Sequence, residues 1–178
     1  MLLVPAVSHA QALPFVAAET DAASLGTAGA GLVETSSVAD ASFSNAAVIP
    51  FSDNKLDASV GYTMWQPSSS NILNVGVAYN VKSKFGVALG VHYGMNPSYD
   101  VTNESGAVAG VFAPKDIHVN AGLAWRFLPF LSLGANIGYA TSSLAEGHSY
   151  GALAADVFAM AKFGDFRVTA GVANVGTT

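Results

Sequence analysis

The chain has 178 residues, of which 51% are hydrophobic and 11% are charged, and its formal net charge is −5. Soluble domains carry roughly 25% charged residues, so this composition is poor in charge for a soluble protein. The acidic balance predicts no basic surface for nucleic-acid phosphates and argues against a nucleic-acid partner, and the absence of cysteine excludes disulfides and thiolate metal sites.

Residues 1–12 are typical of the remnant of a secretory signal peptide. An apolar stretch runs over residues 2–7, and Ala10, Gln11 and Ala12 fit the small-x-small cleavage pattern. The basic region that should precede them is missing, so we expect a truncated start; the alternative is a simple apolar tail. We therefore predict an exported protein.

Residues 13–54 are small and polar, with weak periodicity. A glycine-rich run at 26–31 partly matches the dinucleotide-binding pattern. However, Glu34 stands where the third glycine belongs, and no clear strand precedes the run. We interpret 13–54 as a closely packed segment and not as a nucleotide loop.

Residues 55–178 alternate between apolar and small or polar side chains with period two, which is typical of β-strands. The pattern predicts seven strands, with Val, Leu, Ile, Ala and aromatic residues on one face and mostly Gly, Asn, Ala and Ser on the other. The sixth strand, at about 150–163, is the least regular, because Phe158 and Met160 share the face of Asp156.

The predicted connections alternate in length. Tight turns are expected at 82–84, 128–129 and 164–165, and longer loops at 95–115 and 141–149. Short turns on one side and longer loops on the other are typical of transmembrane barrels, and strands of about ten residues can cross a bilayer at a tilt. The fold class predicted is all-β, a transmembrane antiparallel up-and-down β-barrel; a soluble antiparallel β domain is the alternative.

The aromatic residues of the apolar face favour the barrel. They collect near the strand ends in two predicted girdles, as expected at membrane interfaces. The outer girdle comprises Tyr62, Tyr93 and Tyr139, and the inner girdle comprises Tyr79, Phe85, Trp125, Phe127, Phe163 and Phe166.

Seven strands do not close a usual bacterial barrel, because single-chain outer-membrane barrels have even strand numbers. An open edge in lipid would also leave backbone groups unpaired. We therefore expect the chain to be roughly the N-terminal half of a barrel of about fourteen strands. Closure by self-association of identical chains is the alternative.

The polar face holds the candidates for a lumen site, with hydrogen-bonding residues expected to point into the barrel. These are Asn74, Asn80, His92, His118, Asn120, Asn136 and Asp156. The histidines lack metal-ligand spacing, and no Ser/His/Asp arrangement stands out. We expect neither a catalytic site nor a metal site, no cofactor and no enzymatic activity.

The longest predicted loop, 95–115, is moderately apolar and is the best candidate for contact with a hydrophobic ligand or a protein partner. Its candidate residues are Met95, Tyr99 and Phe112. The alternative is an ordinary folded cap over the barrel.

Two stretches are distinctive, DAASLGTAGAGLVETSSVADASFSNAAVI at 21–49 and GANIGYATSSLAEGHSYGALAADVFAMAKFGDFRVTAGVANVG at 134–176. They resemble the FadL-like outer-membrane barrels, closest to the PorV/PorQ branch of the type IX secretion system. In the first, residues 45–47 occupy the position of the family's Asn-Pro-Ala, with alanine in place of the proline. The second is similar to the family's mid-barrel hairpins.

The resemblance implies a barrel of about fourteen strands in the outer membrane of a Gram-negative bacterium, with the N-terminal segment inside or beneath it. It also implies one of two roles. A PorV-like protein would act in secretion and surface attachment, with secreted proteins or secretion-system subunits as partners. A FadL-like protein would pass hydrophobic small molecules such as long-chain fatty acids. A purely structural barrel is the third possibility, and the lipid bilayer is a partner in each case.

Overall fold

The computed structural model describes residues 14–27, 32–33, 37–66 and 70–176, and the predicted signal peptide at 1–12 lies outside them. The described chain is mostly antiparallel β-strand, so the prediction of an all-β antiparallel protein is confirmed. The strands are β1 (Leu56–Gln66), β2 (Ser70–Val81), β3 (Phe85–Met95), β4 (Tyr99–Thr102), β5 (Val108–Phe112), β6 (Lys115–Leu128), β7 (Leu131–Ala145), β8 (His148–Phe163) and β9 (Phe166–Gly176).

Seven of these strands form one sheet in the order β1-β2-β3-β6-β7-β8-β9, with each strand antiparallel to its neighbours. In the described chain, β1 and β9 are the two edges of this sheet. The end at which β2 turns into β3, β6 into β7 and β8 into β9 is called the turn end below. Lys82 and Ser83 have φ values of 54° and 53°, as in a type I′ turn, whose twist matches that of the flanking strands.

Strands β4 and β5 form a separate two-stranded hairpin at the opposite end, which is called the hairpin end. The sequence predicts a loop in this region, because strands of four and five residues are too short to show a clear period. Met95 was wrongly assigned to that loop. It is the last residue of β3 and pairs with Lys115 of β6.

The predicted loop at 141–149 is also wrong. Strands β7 and β8 continue toward each other until only Glu146 and Gly147 connect them, and Gly147 has a φ of 73°. Ser143 pairs with Ser149 in this extension. The extension was missed because its serine and threonine side chains interrupt the apolar alternation that identifies a strand.

Short helical turns precede the sheet, among them Pro14–Ala17, α1 (Ala22–Gly26), Val38–Ser42 and Ala46–Phe51. The last two belong to a stretch that we call the inner segment, residues 37–52. Ser37 and Asn45 cap its two 3₁₀ helices, since their side-chain oxygens accept the backbone N–H groups of Ala39 and Ala47. No helix among the described residues is long and apolar enough to span a bilayer.

The inner segment packs on the small and polar face of the sheet, and the hydrophobic core lies between the two. The core comprises Ala41, Ala46, Ala47, Val48, Ile49, Ala78, Ala88, Ala124, Phe158 and Met160. The apparent irregularity of the sixth predicted strand has its cause here. Phe158 and Met160 face the same side as Asp156 because the inner segment covers them and excludes water.

The other face of the sheet is apolar and uncovered. Leu89, Leu123 and Ile137 expose 58%, 65% and 59% of their surface, and similar side chains line every strand of the sheet. An exposed apolar face of this extent is characteristic of a surface that contacts lipid or another protein.

Candidate functional site

The candidate site is the covered face of the sheet, where glycines let the inner segment approach the strands closely. A methyl group on Gly134 would overlap the backbone nitrogen of Ala47, and one on Gly90 would overlap the ring of Phe43. These positions therefore need a residue without a side chain. Such contacts explain why glycine recurs on this face of the strands.

Polar side chains of the strands hold the inner segment by its backbone carbonyls. Ser132 Oγ donates to the carbonyl of Ala47 at 2.6 Å, and Asn80 Nδ2 donates to that of Ser52 at 2.8 Å. Asn136 Nδ2 donates to the carbonyl of Ser44 at 3.2 Å. These bonds satisfy carbonyls that short 3₁₀ helices leave without internal partners, which lets the segment be buried at low cost.

Asp40 is the one buried carboxylate of the inner segment. Its Oδ1 accepts hydrogen bonds from Ser59 Oγ at 2.7 Å and from Asn74 Nδ2 at 3.4 Å. Burial raises the pKa of Asp40 above the ordinary 3.8, and the bond from Ser59 opposes that rise. Asp40 thus anchors the inner segment to β1 and β2.

The two predicted lumen histidines form an aromatic cluster with Phe43. His92 and His118 are paired directly across β3 and β6, and their ring centroids are 6.0 Å apart. Phe43 stacks on His92 with a centroid distance of 3.6 Å and an interplanar angle of 19°. Thr20 Oγ1 lies 3.1 Å from His92 Nε2, so the stretch between Pro14–Ala17 and α1 also contacts this cluster.

Asn45 is fully buried and joins three parts of the chain. Its Nδ2 donates to the carbonyl of Leu32 at 2.7 Å and to Thr169 Oγ1 at 3.0 Å, and its Oδ1 accepts the N–H of Ala47 at 2.9 Å. From the sequence alone, Asn45 stands out only as part of a resemblance. Its position before two small residues, typical of a helix cap, was the signal that could have identified it.

Asn74, Asn80, His92, His118, Asn120 and Asn136, six of the seven predicted lumen residues, are buried on the covered face. Asp156 is only partly buried, and its Oδ1 accepts the backbone N–H of Asn174 at 2.6 Å, where β9 bulges. The sequence does not indicate Asp40, Phe43 and Ser132 as partners of this face, because each acts through a residue distant in sequence.

The covered face offers hydrogen bonding and aromatic contact. Among the described residues, no group of three or more His, Asp or Glu side chains could hold a metal ion. A cavity of about 170 Å³ lies beside the histidine cluster. Its wall includes Val16, Phe43 and Phe158 together with the polar residues Glu19, His92 and Asp156.

At the hairpin end, Tyr99 and Phe112 pair across β4 and β5, with ring centroids 5.8 Å apart. The hydroxyl of Tyr99 donates to the carbonyl of Leu144 at 2.6 Å and so ties the hairpin to β7. Val108 and Val111 are 61% and 67% exposed. The hairpin therefore presents an apolar surface beyond the sheet.

The predicted girdle residues lie on the uncovered face. Tyr93 is partly buried and the other eight are exposed: Tyr62, Tyr79, Phe85, Trp125, Phe127, Tyr139, Phe163 and Phe166. Phe85 stacks on Trp125 across β3 and β6. The aromatic side chains therefore project to the same side as the uncovered Val, Leu and Ile residues.

No protein-family model matches the chain, and none of the curated proteins matches it.

Proposed function

We propose that the seven-stranded sheet is part of the wall of a transmembrane β-barrel in the outer membrane of a Gram-negative bacterium. The observation that carries this proposal is the uncovered apolar face, which is continuous over all seven strands. In water, exposure of so much apolar surface would be unfavourable by about 25 cal/mol per Å². In a bilayer, the same surface contacts hydrocarbon, and the aromatic ends lie at the interfaces.

The edges β1 and β9 need backbone partners inside a bilayer, since unpaired N–H and C=O groups are costly there. We propose closure by further strands in a barrel of about fourteen, as the resemblance implies. Pairing of the edges with identical chains is the other route. Native mass spectrometry distinguishes a monomeric barrel from a closed oligomer.

We propose that the inner segment closes the interior of this barrel. The segment is held at both of its ends and along its length, through Asp40, Asn45 and the carbonyl of Ser52. An inner wall covered by such a segment is typical of a plugged barrel and not of an open aqueous pore.

The function that this arrangement supports best is that of a PorV/PorQ-type protein, which acts in protein secretion or surface attachment. Support comes from the hairpin end, where Val108 and Val111 are exposed on a hairpin tethered through Tyr99. An exposed apolar hairpin beyond the wall is suited to contact with another protein. The resemblance of 21–49 and 134–176 to that branch supports the same role.

Copurification tests this function. We expect the wild-type protein, extracted in detergent, to bring down exported proteins that share a C-terminal domain. The double variant Val108→Ser with Val111→Ser should lose them, and the control Val108→Ile with Val111→Ile should retain them. Equal capture by both variants would contradict a role for the hairpin. Absence of such exported proteins in every sample would contradict the secretion role.

A channel for hydrophobic small molecules such as long-chain fatty acids is the second candidate. The cavity beside His92 favours it, because Val16, Phe43 and Phe158 give that cavity an apolar wall. Mass spectrometry of an organic extract decides between the roles. Bound fatty acid without exported proteins supports the channel, and neither ligand nor partner supports a purely structural barrel.

A further inference from the structure

Positive charge is concentrated at the turn end of the sheet. The sequence contains seven Lys and Arg residues. All but Lys115 lie at the turn end, namely Lys55, Lys82, Lys84, Arg126, Lys162 and Arg167. The hairpin end is acidic and carries Asp100, Glu104, Asp116 and Glu146. The two ends of the proposed barrel wall therefore differ in the sign of their charge.

Three of the cations at the turn end face the inner segment. Arg126 donates to the carbonyl of Pro50 and packs over the ring of Phe51, with 4.7 Å between its Cζ and the ring centroid. Lys162 and Arg167 line a cavity of about 180 Å³ beside the inner segment, where Asp53 also lies. These three side chains are therefore directed away from the uncovered face.

The remaining three form an exposed group that we call the lysine corner: Lys55, Lys82 and Lys84. The carbonyl of Lys55 accepts the N–H of Asn80 at 2.8 Å, which places Lys55 beside the turn that carries the other two. Its Nζ lies 5.7 Å from the centroid of the Tyr79 ring, on the uncovered face. Folding thus brings Lys55 next to the turn that carries Lys82 and Lys84, and all three side chains are exposed.

Three acidic residues also lie at the turn end: Asp53, Asp57 and Asp165. Asp57 accepts a hydrogen bond from Asn54 at 2.8 Å, and Asp53 lines the cavity beside the inner segment. Asp165 lies in the turn between β8 and β9. Six cations against these three carboxylates leave the turn end with a net positive charge, and Asp57 lies on the covered face, where it pairs with the buried Ala78.

The lysine corner borders an aromatic group that comprises Tyr79, Phe85 and Trp125. Phe85 follows Lys84 directly and stacks on Trp125, with ring centroids 6.4 Å apart. In a membrane protein, aromatic rings lie at headgroup level and nearby cations attract anionic lipids. Ammonium groups just beyond the rings are therefore at the level of the lipid phosphates.

We propose that the lysine corner binds the phosphate of an anionic phospholipid headgroup in the leaflet at the turn end. This inference rests on the proposed membrane wall. A lysine near an anionic membrane surface contributes about a fivefold preference for anionic over neutral lipid, and salt screens this effect. Three adjacent lysines should therefore enrich anionic lipid several-fold around Trp125. No such enrichment is expected at the acidic hairpin end.

Bromolipid quenching of Trp125 tests the proposal. The sequence has two tryptophans, so the full chain with Trp65→Phe reports from Trp125 alone. The protein is reconstituted in vesicles that contain brominated phosphatidylglycerol or, separately, brominated phosphatidylcholine. We expect quenching by both lipids, with a several-fold higher relative association constant for phosphatidylglycerol that falls at high salt.

The variant with Lys55→Gln, Lys82→Gln and Lys84→Gln should lower the ratio of the two association constants to about one, whereas Lys115→Gln should leave it unchanged. Equal quenching by both lipids in the unaltered lysine background would overturn the lipid site and leave the membrane wall intact. Quenching by neither lipid would overturn the membrane wall and the lipid site together. If Lys115→Gln also lost the preference for phosphatidylglycerol, the assignment of the lipid site to the lysine corner would be overturned.

Discussion

The side chain of Asn45 donates a hydrogen bond to Thr169 Oγ1 at 3.0 Å, although the two residues are 124 positions apart. Thr169 Oγ1 in turn donates to the carbonyl of Ala159 at 3.0 Å. The inner segment is thereby connected to both β8 and β9, the last strands of the sheet. It therefore depends on strands that come late in the chain.

Asn45→Ala should destabilise the protein by about 2–3 kcal/mol, because it removes a helix cap and two partly buried hydrogen bonds. Urea unfolding in vesicles measures this loss. Asn54→Ala is the matched control, since Asn54 is exposed; it should change the free energy of unfolding by no more than about 0.5 kcal/mol. Equal losses in the two variants would contradict the anchoring role of Asn45.

Gly134→Ala should displace the inner segment, because the added methyl group would overlap the backbone nitrogen of Ala47. We expect a loss of about 1–3 kcal/mol and faster hydrogen exchange of the amides at 38–51. Gly110→Ala is the control, since an added methyl group there meets nothing within 4 Å. Unchanged exchange in Gly134→Ala would refute the close packing of segment and sheet.

Asp40→Asn should stabilise the protein near neutral pH and flatten its pH profile. The pKa of Asp40 is raised above 3.8 by burial, so the folded state holds this proton more tightly than the unfolded state does. Binding of this proton contributes to the stability of the folded state. The contribution is fully present below pH 3.8 and is lost as the pH rises through the folded-state pKa of Asp40. Urea unfolding at several pH values measures the effect.

Ser59→Ala is the companion variant, because it removes the hydrogen bond that opposes the rise in the pKa of Asp40. Its stability should fall more steeply than that of the wild type as the pH increases above 3.8. An Asp40→Asn profile that follows the wild type across this pH range would exclude Asp40 as the titrating group.

Phe43→Ala should expose the histidine cluster, since Phe43 stacks on His92 and contacts His118 with ring centroids 6.0 Å apart. Modification with diethyl pyrocarbonate, followed by peptide mass spectrometry, should show His92 and His118 protected in the wild type and reactive in the variant. His148 is exposed and should react in both, which provides an internal control. Rapid reaction of His92 in the wild type would show that Phe43 does not cover it.

The antiparallel sheet could be predicted from the sequence because period two is a local signal, as in Val87, Leu89 and Val91 of β3. The inner segment could not be placed, because its contacts join distant residues. Asp40 meets Asn74 across 34 positions, and Asn136 meets Ser44 across 92. Neither spacing produces a pattern in one sequence.

The extension of β7 and β8 could not be predicted for a different reason. Its side chains are not apolar on alternate positions, as Ser142, Ser143 and Ser149 show. Pairing there follows from continuation of the ladder and from the turn at Gly147, where φ is 73°. A strand predicted from apolar alternation therefore ends where the apolar face ends, although the paired strands continue beyond it.

A nitroxide scan along β3 in vesicles tests the central claim most directly, namely a membrane wall with the inner segment on its other face. The chain has no cysteine, so single-cysteine variants give unique labels. Labels at Val87, Leu89 and Val91 should collide often with oxygen and rarely with an aqueous nickel chelate, and a label at Ala88 should collide rarely with both. Frequent collisions of the nickel chelate at 87, 89 and 91 would contradict the claim.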